Sequence, residues 1–295
     1  MRILLFGKNG QLGRRLTEEL VDLGQITALD HAACDISDRV QVNKAVKKST
    51  PDVIINAAAY TMVDQAEKEL DLCHKVNVEG PRNIALEAAQ AKAAMIHYST
   101  DYVFDGTQSE PYREFDAPNP LNAYGRSKLG GEKAISEIDA SHIIFRIGWL
   151  YSADPTSFLS RMMVQFKDKE EVSVVEDQRG APTSADFISE MTRRLLQIAG
   201  DNPVSFFKNK GGLYHLGCDG DASWFEFAAE ILRLMKLRGI NVRTENLQGI
   251  PAAAYPSPVK RPAFSKLNVD KWQEMFELAP LHWRDDLFRV MEQIE

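Results

Sequence analysis

The sequence has no excess of basic residues: 35 lysines and arginines stand against 42 aspartates and glutamates, for a net charge of −7. Proteins that bind nucleic acid usually carry a basic surface, so a nucleic-acid partner is not expected. The sequence also lacks an apolar run of about 18 residues, the minimum for a membrane-spanning helix. Its start, MRILLFGKNG, lacks the long apolar core and cleavage site of a signal peptide. We therefore expect a cytoplasmic protein with no membrane partner.

Cysteine is also scarce, with three residues, Cys34, Cys73 and Cys218, scattered along the chain. Their odd number and wide spacing argue against a disulfide framework and a C-x-x-C metal pair. Because 44% of the residues are hydrophobic and 26% are charged, disorder is excluded as the main state. A chain of 295 residues suits one large domain or two interleaved domains.

Short apolar runs alternate with helical patterns through the first half of the chain. Leu12, Leu16, Leu20 and Leu23 form the apolar stripe of a helix over residues 11–23. Strands alternating with helices predict an α/β fold, a doubly wound parallel sheet of the Rossmann type. The predicted strands are 2–6, 26–30, 51–59, 93–100 and 142–148.

The alternation loosens after residue 148, which we take as a domain boundary. Residues 149–182 show two short strand-like pieces in polar sequence. Helices are predicted at 186–199 and at 223–238, where Ser223 is a good N-cap. Four prolines between residues 251 and 262 predict a loop. We predict domains 1–148 and 149–295, with a part of the second, about 183–215, returning to the first.

A glycine-rich turn, GKNGQLG, joins the first predicted strand to the first predicted helix. Glycines let the backbone turn sharply and approach a pyrophosphate, and the helix N-terminus offers free N–H groups. A plain strand-to-helix turn is the alternative, but this context favours nucleotide binding. The residues concerned are Gly7, Gly10, Gln11, Leu12 and Gly13.

Acidic residues follow the second predicted strand. Asp30 can accept hydrogen bonds from an adenosine ribose, which would favour NADH, whereas Lys8 or His31 could attract the 2′-phosphate of NADPH. Asp30 could equally be a solvated turn carboxylate. Asp35 and Ile36 could cover an adenine ring, or Asp35 could cap a helix.

The sharpest pattern is Tyr124 and Lys128 in NAYGRSKLGGE, because residues four apart on a helix share a face. A lysine ammonium beside a phenol is expected to lower the pKa of the tyrosine. Such a phenol can exchange a proton with a carbonyl oxygen during hydride transfer. Ser99-Thr100-Asp101 ends the fourth predicted strand, where a hydroxyl can hydrogen-bond the same oxygen. A surface pair is the alternative for Tyr124 and Lys128 alone; the combination favours catalysis.

Four motifs, GKNGQLG, NAAAYT, YSTDYVFDG and YGRSK, together resemble the extended short-chain dehydrogenase/reductase family. The resemblance continues through TMVDQAE, DQRGAPT, SWFEFA and KRPAFSKLN, and so covers nearly the whole chain. It implies a doubly wound nucleotide domain with a smaller C-terminal domain that binds a sugar nucleotide. It also implies reduction of the C4 ketone of a dTDP-linked 6-deoxyhexulose with NADPH or NADH.

The resemblance assigns roles to individual residues. The catalytic set is Thr100, Tyr124 and Lys128. Gly10, Gln11 and Leu12 would lie along the pyrophosphate, Asp30 at the ribose, and Asp35 and Ile36 at the adenine. The cofactor cleft would be lined by Ala59, Tyr60, Thr61 and Tyr98. The sugar would face Thr61, Val63, Thr100, Asp101, Tyr102 and Trp149.

One departure from the family concerns a metal. Some relatives form a dimer bridged by Mg²⁺ through glutamates, one of them early in the first helix. Arg14 and Arg15 stand there in this chain, and a cation repels Mg²⁺. Asp186 and Glu292 lie near the other ligand positions. We expect no metal site, and a monomer or weak homodimer.

Two alternatives to this reductase remain. One is another nucleotide-sugar 4-reductase, epimerase or dehydratase. A 4,6-dehydratase would need two acidic residues directly after Thr100, but here Asp101 is followed by Tyr102. The other is a non-catalytic regulatory subunit that keeps the nucleotide fold. The presence of Thr100, Tyr124 and Lys128 argues against that second alternative.

Overall fold

A computed structural model describes residues 1–294. Its strands are β1 (Arg2–Phe6), β2 (Gln25–Leu29), β3 (Val53–Asn56), β4 (Ala94–Thr100), β5 (His142–Ile147), β6 (Leu150–Tyr151), β7 (Glu171–Val175), β8 (Arg179–Gly180), β9 (Thr183–Ser184), β10 (Gly212–His215), β11 (Ala222–Ser223) and β12 (Asn246–Ile250). Its helices are α1 (Gln11–Glu19), α2 (Arg39–Ser49), α3 (Val63–Ala66), α4 (Leu70–His74), α5 (Gly80–Ala91), α6 (Ala123–Ser136), α7 (Phe158–Asp168), α8 (Ala185–Ala199), α9 (Pro203–Lys210), α10 (Trp224–Leu237), α11 (Asp270–Phe276) and α12 (Trp283–Glu292).

Six of these strands form one parallel sheet in the order β10-β5-β4-β3-β1-β2. All residues of β3 and β4 are buried, as expected for strands covered on both faces. The chain leaves β1 for β2 on one side and returns as β3 on the other, which places the topological switch point beside β1. Ligands of such sheets bind at the carboxyl ends of the strands near this point.

Helices cover both faces of the sheet, because alternate strand residues point to opposite sides. Leu5 and Ile96 belong to a core that includes α1 and α8, whereas Leu4 and Met95 pack with α2, α5 and α6. The predicted α/β fold of doubly wound, Rossmann type is therefore confirmed. Among residues 1–294, no helix combines the length and apolar character needed to cross a membrane.

Several predicted boundaries change. The helix predicted over 11–23 ends at Glu19, and a 3₁₀ turn, Val21–Leu23, follows before Gly24. The strand predicted over 51–59 leaves the sheet after Asn56. The helix after Ser223 is confirmed, with a capping box to Glu226.

The prediction of two strand-like pieces in polar sequence over 149–182 overlooked α7, an amphipathic helix. Ser157 caps it, and Leu159, Met162, Met163 and Phe166 bury its apolar face. Two further contacts tie later segments back to the body of the protein. β10 extends the central sheet beside β5. Asp286 of α12 accepts hydrogen bonds from Tyr151 Oη at 3.0 Å and from Ser184 Oγ at 2.7 Å.

A buried ion pair fastens α6 to the sheet. Arg146 of β5 donates from Nε and Nη2 to Glu132 of α6, at 2.9 and 2.7 Å. Ser99 of β4, the register partner of Arg146, also donates to Glu132. Arg146 and Glu132 are 2% and 5% exposed, so water cannot compensate either charge if the other is removed.

We predict that Glu132→Gln lowers the free energy of unfolding by about 3–5 kcal/mol, because Arg146 would be left as an uncompensated buried charge. Urea denaturation followed by circular dichroism measures this. The matched control is Glu170→Gln, which breaks the exposed Arg243–Glu170 pair and should cost less than about 1 kcal/mol. Equal losses in both variants would show that the pair at Glu132 has no special role.

Candidate active site

Gly7 and Gly10 lie in the loop after β1 and Gly13 in the first turn of α1, and the three glycines have different roles. Gly7 has φ +89°, and a Cβ there would lie 2.5 Å from Ala58 N; a Cβ at Gly13 would lie 2.0 Å from Gly7 O. These two glycines allow the backbone to pack closely. Gly10 is exposed, and the nearest atom to a Cβ there would be 3.5 Å away. Gly10 therefore borders open space.

That open space lies at the N-terminus of α1. Gly10 is the N-cap, and within residues 1–294 no side chain caps the helix there. Its first N–H groups and the positive end of its dipole therefore suit an anion such as a pyrophosphate. Gln11, beside Gly10, accepts a hydrogen bond from Ser152 Oγ at 3.0 Å.

Asp30, at the end of β2, lies against the glycine loop. Its carboxylate accepts hydrogen bonds from Asn9 Nδ2 at 3.1 Å and from Ala33 N at 3.0 Å, and Lys8 Nζ lies 3.5 Å away. The bond from Ala33 and the charge of Lys8 hold the pKa of Asp30 below its usual range. A carboxylate acceptor and a cation therefore stand together where the ribose is expected.

The next two predicted contacts, Asp35 and Ile36, have partners of their own. Asp35 accepts from Ser37 N and Ser37 Oγ at 2.9 and 2.8 Å in a turn, and it is Asp38, not Asp35, that caps the following helix α2. Ile36 is 4% exposed and packs against Gly80, where a Cβ would come within 2.6 Å of its Cδ1. Their contact with an adenine ring stays a prediction.

Thr100, Tyr124 and Lys128 meet at the carboxyl end of β4. Thr100 is the last residue of the strand, and α6 begins after Asn122, whose side chain caps Gly125 N at 2.8 Å. A Cβ at Gly125 would lie 2.2 Å from Tyr102 O, so glycine lets the start of α6 press against the end of β4. Lys128 reaches back to donate to Tyr98 O at 2.6 Å.

Burial dominates the acid–base properties of this group. It raises the pKa of the Tyr124 phenol, although the nearby Thr100 hydroxyl lowers it. It lowers the pKa of Lys128 from 10.5 to about 8, although Glu132 raises it. The predicted lowering of the Tyr124 pKa by Lys128 is therefore wrong for the protein without ligands, since desolvation of the phenol outweighs any effect of the ammonium.

Thr100 has two further partners besides Tyr124. Its hydroxyl donates to Asp101 Oδ1 at 3.0 Å and accepts from Tyr102 N at 3.2 Å. Burial raises the pKa of Asp101 to about 6, although hydrogen bonds from Ser265 and Thr100 partly oppose this rise. A carbonyl oxygen that binds Thr100 must therefore compete with Asp101 for the hydroxyl proton.

A π-helical turn, Lys75–Glu79, interrupts the helix between α4 and α5 and turns Asn77 toward this site. Asn77 accepts from Tyr60 N at 2.8 Å and donates to Tyr60 O at 2.9 Å and to Ser127 Oγ at 2.9 Å. It thus joins the loop after β3 to α6. Sequence reasoning missed Asn77, because periodicity carries no signal for a single π turn; such turns are frequent at functional sites.

The side chain of Tyr98 lies in the core, and its contact with the cofactor stays a prediction. The side chain is 5% exposed, and its hydroxyl lies 2.7 Å from Thr192 Oγ1. A central strand buries both faces, so alternation alone cannot say which face meets a ligand. The main-chain oxygen of Tyr98 is what reaches the site, through Lys128.

Aromatic rings flank the predicted sugar position. Tyr102 packs edge-to-face on Tyr124, with ring centroids 5.8 Å apart. Trp149 has a left-handed backbone, with φ +48°. Its ring stacks on that of Trp224, with the ring centroids 3.6 Å apart. Its Nε1 donates to Ser265 Oγ at 3.2 Å. Sequence reasoning missed that Trp224 stacks on Trp149 and that Ser265 accepts a hydrogen bond from Trp149.

A guanidinium stands in this chain where the resemblance places a metal ligand of some relatives. Arg15 donates to Asp186 at 2.5 Å and to Glu18 at 2.6 Å. Arg15, Asp186 and Glu292 line one surface cavity of about 410 Å³. In the described part of the chain, no three His, Cys, Asp or Glu side chains are grouped to hold a metal ion. These residues do not suit Mg²⁺, because Arg15 neutralises the carboxylate of Asp186.

Thr61 lies in the loop after β3 and is exposed, and Val63 is the first residue of α3 and is half-buried. Ala59 and Tyr60 are half-buried in that loop, and the Tyr60 hydroxyl donates to Glu69 at 2.9 Å. The main chain of Tyr60 is held by Asn77, so the loop lies beside α6. The contacts of these four residues with ligands stay predictions.

Comparison with known proteins agrees over the full length. The family model described as RmlD substrate binding domain matches residues 1–295. A dTDP-4-dehydrorhamnose reductase of Shigella flexneri is 41% identical over 298 residues, which cover 100% of this chain and 98% of that protein. The crystal structure of a dTDP-4-dehydrorhamnose reductase from Clostridium acetobutylicum has a TM-score of 0.90 and 34% identity, covering 100% of this chain and 99% of that one.

A second solved structure carries a cofactor. The dTDP-4-dehydrorhamnose reductase of Bacillus anthracis, in complex with NADP, has a TM-score of 0.90 and 34% identity, covering 99% of both chains. Sequence and structure therefore agree with the resemblance drawn from the motifs. The chain belongs to the dTDP-4-dehydrorhamnose reductase family.

Proposed function

We propose that this protein reduces the C4 ketone of dTDP-4-dehydro-6-deoxy-L-mannose to give dTDP-L-rhamnose, with NADPH as cofactor and NADH as a second donor. The observation that carries this proposal is the meeting of Thr100, Tyr124 and Lys128 at the sheet edge. The open side of Gly10 lies on the loop after β1, at the same edge. Membership of the family supports the substrate and the reaction.

The residues present fit a pyridine dinucleotide. The space beside Gly10 and the uncapped start of α1 would receive the pyrophosphate. Asp30 would accept from the ribose, and Lys8, 3.5 Å from Asp30, would attract a 2′-phosphate, which supports the use of NADPH. When bound, the cofactor supplies the hydride that C4 receives.

The proton comes from the protein. Reduction requires Tyr124 to start as a neutral phenol, and its raised pKa keeps it so at neutral pH. Thr100 would turn its hydroxyl from Asp101 to the C4 oxygen, which polarises the ketone and aligns it with the phenol. Lys128, one helical turn from Tyr124, would stabilise the phenolate left after proton donation.

We also propose how the chain divides this work. Residues 1–148 would hold the dinucleotide, and residues 149–295 mainly the sugar nucleotide. The pairing of β10 with β5 supports the return of about 183–215 to the first domain. Hydrogen exchange of the full-length protein tests this division: NADPH should protect amides in 1–148, and dTDP mainly those in 149–295.

A monomer or weak homodimer in the cytoplasm, without bridging Mg²⁺, completes the proposal. The ion pairs of Arg15 with Asp186 and Glu18 support the absence of a metal bridge. We expect turnover and the elution volume in size-exclusion chromatography to be unchanged by EDTA. Activity lost in EDTA and restored by Mg²⁺ would contradict this.

The first prediction of this mechanism concerns the cofactor loop. Gly10→Val should weaken NADPH binding about tenfold or more, because the side chain would hold the pyrophosphate away from the N–H groups. Folding should be spared, since Gly10 has ordinary extended φ and open space. Fluorescence titration and thermal melting measure the two effects. In contrast, Gly13→Ala should lower Tm as well, because its Cβ would strike Gly7 O.

A second prediction concerns the proton donor. Tyr124→Phe should reduce the single-turnover rate at saturating ligands by about 10²–10⁴, the usual worth of a general acid, while dTDP binding is retained. Tyr214→Phe is the matched control, because that hydroxyl bonds Lys210 O in the core and should not affect turnover. A Tyr124→Phe rate within about threefold of wild type would exclude Tyr124 as the acid. Wild-type protein with no turnover at all would favour a regulatory subunit.

A third prediction concerns pH. Lys128 is an ammonium below its lowered pKa of about 8 and neutral above it. Because the charge is needed to stabilise the phenolate, the reduction rate should fall as pH rises through about 8. The Lys128→Met variant should reduce the substrate slowly, and its pH–rate profile should lack this fall above about pH 8. An unchanged alkaline limb in Lys128→Met would assign the titration to another group.

A further inference from the structure

Glu67 reaches from the end of α3 to the start of the helix that carries Tyr124, and it has no role in the mechanism above. Its Oε1 accepts a hydrogen bond from Ala123 N at 2.6 Å, and its Oε2 lies 3.5 Å from Arg126 Nη2. Ala123 is the first residue of α6 and immediately precedes Tyr124. Glu67 therefore binds the main chain one residue before the proposed proton donor.

The N–H group of Ala123 depends on this carboxylate. The N–H groups of the first turn of a helix have no acceptor within the helix itself. Asn122 is the N-cap of α6, and its side chain accepts from a different group, Gly125 N, at 2.8 Å. Ala123 is 4% exposed, so water does not readily take the place of Glu67. Removal of the carboxylate would leave a buried donor unpaired, which destabilises the local arrangement.

The carboxylate belongs to a part of the chain with predicted substrate contacts. We call residues 60–67, which include the predicted sugar contacts Thr61 and Val63, the sugar-contact segment. Ala66 of this segment and Ala123 of α6 are buried in one small apolar cluster. The hydrogen bond from α6 to the carboxylate thus extends a contact that apolar side chains already make between the segment and the helix.

Two side chains join the sugar-contact segment to α6. Glu67, at the end of the segment, binds the main chain of Ala123. Asn77 links the start of the segment to α6, through hydrogen bonds to the main chain of the first segment residue and to Ser127 Oγ. Tyr124 lies between these two anchor points of the helix. The phenol and the segment are therefore held at a fixed separation.

The hydrogen bond, rather than the charge, is the feature of the carboxylate that fixes a position. The side chains of Glu67 and Arg126 are 36% and 53% exposed, so solvent screens their ion pair and it contributes little. The hydrogen bond is directed instead at a single buried N–H group, and an ionised acceptor strengthens it.

We propose that Glu67 is a positioning residue, which sets where Tyr124 meets the C4 oxygen by tying the start of α6 to the sugar-contact segment. This proposal rests on the reductase function proposed above. A displacement of about 1 Å between reacting groups can cost about 10² in rate, so a bond one residue before the acid is close enough to affect turnover. Glu67 acts through Tyr124 and takes no part in hydride or proton transfer.

The experiment compares the single-turnover reduction of the dTDP-sugar by full-length variants at saturating NADPH. Glu67→Ala should lower the rate about tenfold or more, because the phenol is no longer held in line with the ketone. The Kd values for NADPH and dTDP should stay within about threefold of wild type, since the nucleotide contacts remain. Glu67→Gln keeps an oxygen acceptor at the same reach, so it should restore the rate to within about threefold of wild type. Arg126→Gln removes only the exposed ion pair and is the matched control, which should not change the rate.

A double-mutant cycle shows whether Glu67 acts through Tyr124. In a Tyr124→Phe background, Glu67→Ala should lower the remaining rate by less than about twofold, because no acid is left to misplace. A merely structural role would give equal losses in both backgrounds. Circular dichroism and thermal melting check that each variant is folded. If Glu67→Ala does not fold, Glu67→Asp takes its place, because it keeps the charge but is one methylene too short and should be equally slow.

The outcomes distinguish the two proposals. Wild-type protein that does not reduce the dTDP-sugar would overturn the reductase function, and with it the role of Glu67. Active wild-type protein would overturn the role of Glu67 alone if Glu67→Ala were as fast, if Glu67→Gln were as slow as Glu67→Ala, or if Arg126→Gln lost as much. Equal losses from Glu67→Ala in both backgrounds would overturn it too. A loss of turnover in Glu67→Ala that glutamine restores, and that disappears in the Tyr124→Phe background, would support it.

Discussion

The active site depends on the buried ion pair between Arg146 and Glu132. Ser99 and Arg146 are register partners on adjacent strands, and both bind the same carboxylate. This carboxylate lies on α6, four residues after Lys128, while Ser99 immediately precedes Thr100. The pair therefore fixes the helix that carries the proton donor relative to the strand that carries the hydroxyl. Because desolvating two charges offsets most of their attraction, its main contribution is to position these elements.

Burial then decides how the positioned groups behave. Desolvation favours the neutral form of each, so it raises the pKa of Tyr124 and lowers that of Lys128. Both shifts work against proton donation. A raised pKa makes the Tyr124 phenol a weaker acid, and a lysine close to losing its own proton limits the pH range over which the phenolate is stabilised. The same environment therefore makes the charge of Lys128 necessary and restricts the pH range in which it is present.

Sequence patterns predicted the central sheet well, because the runs around Leu4, Ile54 and Ile96 are apolar on both faces and are separated by helical periodicity. The pairing of strands that are distant in sequence was harder to predict. Nothing local to Gly212–His215 says that it joins the sheet beside β5. The helix α7 was overlooked although Leu159, Met162 and Phe166 have helical spacing, because polar residues surround them.

The site shows the same division between local pattern and three-dimensional context. The glycine loop and the Tyr124–Lys128 spacing are local, and the structure brings Thr100 to them. The face to which Tyr98 points, the π turn at Asn77 and the sign of the Tyr124 pKa shift all depend on neighbours distant in sequence. Ser265, in the second half of the chain, reaches the site from a motif whose role is not visible from spacing.

The late arrival of β10 has a consequence for the synthesis of this chain. Until residues 212–215 have left the ribosome, β5 is the edge of the sheet, with Ile143, Ile144 and Phe145 on it and its hydrogen-bonding groups unpaired. An open apolar edge strand is a template for pairing with other chains. A nascent chain stalled shortly after residue 148 would therefore be prone to aggregate, and completion of β10 closes that edge.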